Sequence, residues 1–492
     1  MRSARHGRPI PGLHSRAFIM SPTPGFVAVP AAVVAELQAL LGPDRVVTAE
    51  AEVETLSKDC YWYSPVLKAR LQERRAGAAV KIATVAELKA VLAAAYRHDL
   101  PVTVRGGATG NYGQCIPLCG GLVVDLTGLD RILAIEGDVV TVEAGARVVH
   151  VEQAVRATGR ELRCLPSTWV KSTIGGFISG GSAGIGSITW GGLREPGTIK
   201  RLKLLTLEAE PKELVLEETD TLRAFHAYGT NGVITELQLR LAPARRWDQI
   251  AITGPDWAVV TAFARRVAYD DGIPKRLLSL LEPIFGASFK PLRTWLPAGH
   301  AFIWLEVDQT ATDGLAAEAR AAGLNVAQII PYHEPKRQPM LMEYGWNHST
   351  LWMLKAHPGH TYLQLGLGPN FEEQAARLQA RFPGQVHLHF EFVRGRRPTG
   401  EFGLVIPVLI PVIEYVSDAH LREVIAFAES LGIASNNPHT CYLGEGGTTP
   451  ALQAQIKLKA ATDPKGLLNP GKLKGAAVPP GLAEAMPQFL EV

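Results

Sequence analysis

The sequence predicts an α+β protein in two parts, and three features predict it. Between residues 78 and 243, short β-prone runs alternate with helices and with two glycine-rich stretches. From about residue 247 the order becomes strand, helix, strand, three times over, which is the pattern of a ferredoxin-like antiparallel sheet with helices on one face. At 492 residues, 47% hydrophobic and 20% charged, the chain is long enough for two or three cores.

Taken in order, residues 1–26 form a basic tail with Arg2, Arg5, Arg8 and Arg16. It lacks the apolar stretch of a secretory signal, and a start at Met20 or a disordered tail is expected. Ala31 to Leu41 reads as an amphipathic helix stopped by Gly42-Pro43. Ala78 to Ala83 reads as a strand, and Thr84 with Glu87 three residues on forms a capping-box pattern for the next helix. Val102 to Arg105 is a strand that runs into the first glycine stretch. Strands follow at 122–126, 131–135 and 139–143, then a helix at 148–158 closed by Gly159. Further strands lie at 202–207 and 233–241, and Pro243 with Arg245-Arg246 marks a boundary. The expected organisation is a first domain over 27–246, a cap over 247–430, a segment over 431–475 returning to the first domain, and a tail over 476–492. No internal sequence repeat is evident.

Composition narrows the function. A net charge of +3 gives no electrostatic case for nucleic acid, and no apolar run is long enough to span a bilayer. Five cysteines are few and odd in number, so buried free thiols are expected rather than a disulfide framework or a zinc site. A cytoplasmic protein is the expectation.

The glycine stretches carry the chemistry. Arg105 to Gly113 offers successive backbone N–H groups able to surround a pyrophosphate. Ser172 to Gly192 holds eight glycines with Ser179, Ser182 and Ser187 among them, and is threaded with Ile174, Phe177, Ile178, Ile185, Ile188 and Trp190. A linker would lack those large apolar residues, so an ordered ligand-holding segment is expected, and a dinucleotide suits both stretches. Gly107, Gly110 and Gly113 are spaced by three and are followed by strands, which does not fit a Rossmann fingerprint, and no P-loop occurs. Gly180 to Gly184 satisfies G-x-S-x-G, yet the glycines on both sides leave no strand and helix for a hydrolase elbow at Ser182.

Over roughly 78–243 and the C-terminal segment, the sequence resembles the flavoprotein oxidoreductases with a PCMH-type FAD-binding domain, the vanillyl-alcohol oxidase family. Arg105-Gly106-Gly107-Ala108-Thr109 is similar to that family's R-G-G-x-T/S loop, and 122–126 with Asp125 to its v-v-l-D-L strand. Thr173-Ile174-Gly175-Gly176 resembles T-I-G-G, Ser182-Ala183-Gly184 the following A-S-G, and 229–236 the G-x-x-G-I-I-T-E signature. Residues 463–472, DPKGLLNPGK, resemble the D-P-x-G-x-L-N-P-G-K ending of the glycolate oxidase subunit and D-lactate dehydrogenase group.

The resemblance implies a two-subdomain FAD-binding domain with a cap, and FAD held by Arg105, Gly106, Gly107, Ala108, Thr109, Gly110, Thr173, Gly175, Gly176, Ser179, Ser182, Ala183, Gly184, Gly232, Val233 and Ile234. Some members bond FAD to a histidine where this chain has Thr109, so non-covalent FAD is expected. The subgroup's H-x-G-D-G-N-x-H metal motif is missing. His387 and His389, alternating along one strand, share a face, but no third ligand is evident and no metal is expected. E-H-G is reduced to His439, and W-x-x-R reads Trp352 to Lys355, which is not a conservative exchange.

The expected reaction is hydride transfer from an alcohol or 2-hydroxy acid to flavin. His439 is the expected base, with Tyr442 and Glu445 near it and Lys355 holding a carboxylate ahead of the basic turn Arg394 to Arg397. Tyr344, Trp346 and Trp352 line an aromatic pocket or a core. Gly120-Gly121, expected near the flavin, leaves room for oxygen. Electrons then pass to oxygen, a quinone or a protein acceptor, and a homodimer is open. The rival reading is a flavin-binding subunit that relays electrons, or only scaffolds a complex, without catalysis.

Overall fold

A computed structural model describes residues 26–332, 340–445 and 451–490. The basic tail up to residue 25 lies outside the described residues.

The first domain is two sheets side by side. In the first, Ala78–Lys81, Leu122–Asp125 and Val102–Arg105 run parallel, with Val46–Val47 antiparallel at one edge. Leu122–Asp125 is buried throughout, as a strand covered on both faces must be. The helix Val85–Arg97 starts at the anticipated capping box: Thr84 accepts the Glu87 N–H, and the Glu87 carboxylate accepts the Thr84 N–H. It buries Leu88, Val91, Leu92 and Ala95 on that sheet.

The second sheet is antiparallel, in the order Ile132–Glu136, Val139–Glu143, Val233–Pro243, Ile199–Leu205, Glu213–Glu217, and Arg160–Leu162 extends it from the end of Val233–Pro243. The helices Val148–Arg156 and Ile174–Gly180 contribute to its core. Within the second glycine stretch Ile174–Gly180 is a helix, which its glycines do not announce. Thr173 accepts the Gly176 N–H and starts the helix despite three glycines within it.

The C-terminal segment contains a helix, Leu452–Thr462. Beyond it, Asp463 accepts N–H groups from Leu467 and Leu468 and the buried Lys459 ammonium, and Asn469 N–H reaches the Val102 carbonyl. Lys472 is wholly buried, with its ammonium on the Gly113 carbonyl. The final stretch, expected as a tail, docks as well: Leu482, Phe489 and Leu490 are buried.

The cap is an eight-stranded antiparallel sheet made of two units with one topology. In the first unit, Trp247–Gly254, Lys275–Leu281, Ala301–Asp308 and Asn325–Ile330 lie in the spatial order fourth, first, third, second. In the second, Gln364–Gly366, His389–Arg396, Phe402–Leu409 and Ala434–Asn436 repeat that order. Lys275–Leu281 and His389–Arg396 join the units edge to edge, with Ser279 opposite Glu391. Each unit is therefore ferredoxin-like, and the repeat is one of topology.

The helices Trp257–Tyr269, Gln309–Ala321, Phe371–Arg381 and Asp418–Ser430 share one core on one face, as expected. Part of the other face is also covered, by Pro283–Ser288 and Trp346–Ala356. Arg276, almost wholly buried, lies 3.5 Å from Glu152, 3.7 Å from Glu161 and 3.4 Å from Glu306, fixing the cap on the first domain.

Candidate functional site

Both glycine stretches, the turn 229–234 and the cap wall off one cavity of about 1380 Å³. Cavities for a single ligand run to roughly 300–1,000 Å³, so this one has room for a dinucleotide and a second molecule.

The glycines of the first stretch are needed mainly because protein packs on protein. A Cβ on Gly106 would sit 2.1 Å from the Thr173 hydroxyl, one on Gly107 2.3 Å from the Lys171 carbonyl, and one on Gly110 1.9 Å from Gln114 Oε1. Gly175 meets Ala144 and Gly184 meets the Leu165 carbonyl in the same way, at 2.7 and 2.1 Å. The two stretches are thus pressed together. Thr109, Thr168 and Ser172 link them through hydroxyls at 2.7–3.2 Å, and Gln114 Nε2 donates to the Gly180 carbonyl at 2.8 Å.

Gly176 is the opposite case. It is exposed on the cavity wall, and a Cβ there meets only the Thr173 hydroxyl, at 2.9 Å. Backbone bared on this wall, and the buried Gln114 Oε1 with no partner, fit a flat, polar ligand lying against it. Ala108, at the tip of the first stretch, holds a φ of 50°, and such strain concentrates at ligand sites.

Of the residues expected to hold the ligand, all line the cavity except Gly184, whose place is taken up by the Leu165 carbonyl. Arg105 lines it as well, but its guanidinium donates to the Leu56 carbonyl at 2.5 Å and lies 3.8 Å from Asp125. The exposed cation beside this loop is Lys171, which the sequence reading passed over.

Ser182 is no nucleophile elbow. Its hydroxyl is 3.4 Å from His226 Nδ1, but that nitrogen donates to the Gly181 carbonyl at 2.9 Å and so cannot accept the serine proton. Burial pushes the His226 imidazole down to about 4, and its Nε2 accepts from Tyr228 at 3.3 Å.

The expected base also needs correction. His439 is fully buried and is not on the cavity wall. Its Nε2 donates to the Tyr362 carbonyl at 2.9 Å and its Nδ1 accepts from Ser64 at 2.7 Å, so no ring nitrogen is free. Burial pushes this imidazole down to about 4. Tyr442 turns its hydroxyl to the Pro487 carbonyl at 2.5 Å, and Glu445 pairs with Lys474. These groups staple the C-terminal segment. Gly120 and Gly121, expected near the flavin, pack on Val27 and Pro101 and do not line the cavity.

On the cap side, Tyr344, Trp346, Trp352 and Lys355 all line the cavity, with Val393, Ile406, Val408 and Ile410. The Tyr344 and Trp352 rings stack at 5.8 Å. Arg394 and Arg396 also line it, but they pair with Asp271 at 2.7 Å and Glu195 at 2.5 Å. Glu391, buried, accepts from Ser279, His389 and the Trp346 N–H at 2.6, 2.9 and 2.6 Å, fixing the start of the helix Trp346–Ala356. His389 is thus a buried partner of Glu391, while His387 stacks on His360 at 5.7 Å, so the two do not share a ligand. Among the described residues no three His, Cys, Asp or Glu side chains are placed to hold a metal.

Sequence reasoning missed two cavity groups besides Lys171 and His226. His348 lies on the cap helix, where spacing from Trp352 and Lys355 gave a signal. Asp59 lies before any recognised motif; burial pushes its carboxyl up to about 6, against the pull of the Lys472 ammonium.

Comparison with known proteins agrees with this geometry. A family model described as an FAD binding domain matches residues 76–211. An uncharacterized FAD-linked oxidoreductase of Mycobacterium tuberculosis is 26% identical over 219 residues, 42% of this chain and 44% of that one. A D-lactate dehydrogenase of Anaerostipes hadrus is 25% identical over 34% of this chain and 36% of its own, and a glycolate oxidase subunit of Bacillus subtilis 31% identical over 32% and 35%. The matches thus span less than half the length of these relatives.

Among solved structures, an alkyldihydroxyacetonephosphate synthase superposes with a TM-score of 0.67 over 92% of this chain and 87% of that one, at 14% identity. The 4-ethylphenol oxidase of Gulosibacter chungangensis does so with 0.60 over 92% and 98%, also at 14%. Among the described residues no helix is long and apolar enough to cross a membrane. With its glycine-walled cavity, the chain has the PCMH-type fold and carries an FAD-binding domain over residues 76–211, and FAD is its cofactor.

Proposed function

We propose that this protein oxidises the CH–OH group of an alcohol or hydroxy acid and passes the electrons to oxygen or to a carrier. The observation that carries the reading is the single cavity running from the glycine stretches to an aromatic cap wall, larger than one ligand needs. Bound FAD supplies a two-electron hydride acceptor. The chain's part is to hold it along Gly106, Gly107, Gly110, Gly176 and the turn 232–234, with Lys171 as the cation beside the pyrophosphate loop. Thr109, bonded to Ser172 and Thr168, stands where the resemblance would put a linking histidine, and FAD is held non-covalently. Lys355, exposed at the rim with no ion pair among the described residues, is the group for a substrate anion.

The test is the visible spectrum of the purified protein before and after acid precipitation, followed by anaerobic mixing with alcohols and hydroxy acids. Flavin in the supernatant and bleaching by a substrate are expected. Flavin left in the pellet sinks non-covalent binding. A flavin that dithionite bleaches and no alcohol does sinks the oxidation. That last result would favour a flavin subunit without chemistry of its own, a reading that the absence of His439 and Tyr442 from the cavity wall also favours.

A further inference from the structure

We propose that His348 is the catalytic base of this cavity, and that the substrate carries its alcohol and an acidic group at opposite ends of an apolar or aryl body. The inference rests on the CH–OH reading above and names the residue and substrate shape that go with it. His348, Trp352 and Lys355 stand at i, i+4 and i+7 of the helix Trp346–Ala356, and all three line the cavity. That spacing puts them on one helix face, with about 10 Å of helix axis from the first to the last.

The face is graded. His348 is half-buried at the inner end, Trp352 lies between, and Lys355 is exposed at the rim with its ammonium 5.8 Å from the Trp352 ring centre. The imidazole is set up to take a proton. Nδ1 donates to the Glu343 carbonyl at 3.1 Å, which fixes the tautomer and leaves Nε2 as an acceptor with no partner among the described residues. Burial and, to a lesser degree, the Lys355 charge hold the imidazole below its ordinary value, so it is neutral at pH 7.

In the step, the substrate O–H bond breaks toward His348 Nε2 and the carbinol C–H bond breaks with its electron pair toward oxidised flavin, while C=O forms. The alcohol is oxidised by two electrons, the flavin is reduced, and the proton rests on the imidazole. An alcohol and an acid separated by an apolar or aryl body fit this span better than a 2-hydroxy acid, whose two groups sit on adjacent carbons.

The experiment compares para-(hydroxymethyl)benzoate, benzyl alcohol and lactate as reductants of the FAD-loaded protein in anaerobic stopped flow. Para-toluate, which has no alcohol, serves as a binding probe read by the flavin spectrum. His348→Gln is expected to slow reduction by para-(hydroxymethyl)benzoate by about a hundredfold, with para-toluate binding unchanged and added imidazole restoring part of the rate to His348→Ala. Lys355→Gln is expected to weaken para-toluate about tenfold. Unchanged reduction in His348→Gln overturns the base, and lactate reducing faster than para-(hydroxymethyl)benzoate overturns the substrate shape. If no alcohol reduces the flavin, the CH–OH reading and the base fall together. The two-ended pocket then stands or falls separately, on the response of para-toluate binding to Lys355→Gln.

Discussion

Two alanines in the glycine stretches separate packing from ligand contact, because their effects on the apoprotein have opposite signs. In Gly107→Ala the new methyl falls 2.3 Å from the Lys171 carbonyl, about 1 Å inside ordinary contact. That carbonyl belongs to the backbone leading into Thr173, so overpacking is expected to cost about 1–3 kcal/mol. In Gly176→Ala the methyl stands at the third position of a helix capped by Thr173, a position that carries glutamate in capping boxes. The helix should gain roughly 0.5–1 kcal/mol from losing a glycine, less the cost of shifting the Thr173 hydroxyl, 2.9 Å from the new methyl. The same methyl projects into the cavity, where even 1.4 kcal/mol of lost contact weakens FAD about tenfold. Apoprotein Tm and FAD titration by flavin fluorescence read both. Gly107→Ala should melt lower and Gly176→Ala no lower than wild type, while both bind FAD more weakly. A Gly176→Ala protein with unaltered FAD affinity would falsify the placement of this wall against the cofactor.

Three further outcomes follow from single residues. Thr84→Ala removes half of a complete capping box and should cost about 1 kcal/mol in a urea melt with FAD affinity unchanged; a loss of affinity would contradict a purely local role. His439→Ala takes the acceptor from the Ser64 O–H and the imidazole donor from the Tyr362 carbonyl in a buried site and should cost about 2–4 kcal/mol, with flavin reduction in the folded variant within about threefold of wild type. Asp59 has its folded pKa raised from 3.8 to about 6, so its stabilisation is complete below about pH 4 and lost as pH rises through 6. The loss amounts to about 3 kcal/mol. The Tm of wild type should therefore fall relative to Asp59→Asn between pH 4 and pH 7, and parallel profiles would remove Asp59 from that titration.

Much of the fold was legible because local chemistry wrote it. Thr84 and Glu87 announce a helix start, and alternation of strand and helix after residue 247 announces a ferredoxin-like sheet. The helix Ile174–Gly180 was not legible, since its three glycines argue against helix and only the Thr173 cap and its packing hold it. Leu452–Thr462 was missed because its apolar residues form no clear stripe; the one face it buries, Gln455, Leu458, Lys459 and Thr462, is mostly polar, with Gln455 and Lys459 bonded to the carbonyls of Phe225 and Thr230. The edge-to-edge doubling of the cap left no trace in residue identity, because hydrogen bonds between backbones can repeat a topology without repeating side chains.

Residue order carries the chemistry that a short motif can hold: the glycine stretches, the ordered segments that resemble an FAD-binding domain, and an aromatic patch with a lysine beside it. Which polar groups meet the cavity depends on how distant segments come together. His439 and Tyr442 share their stretch with cavity-lining Asn436, yet both turn into hydrogen bonds with distant backbone, while His348 and Asp59 line the cavity. A histidine's role depends on whether a ring nitrogen is left unpaired at a surface the ligand can reach, and its partners arrive from segments far away in sequence. That is settled by packing, which no local pattern encodes.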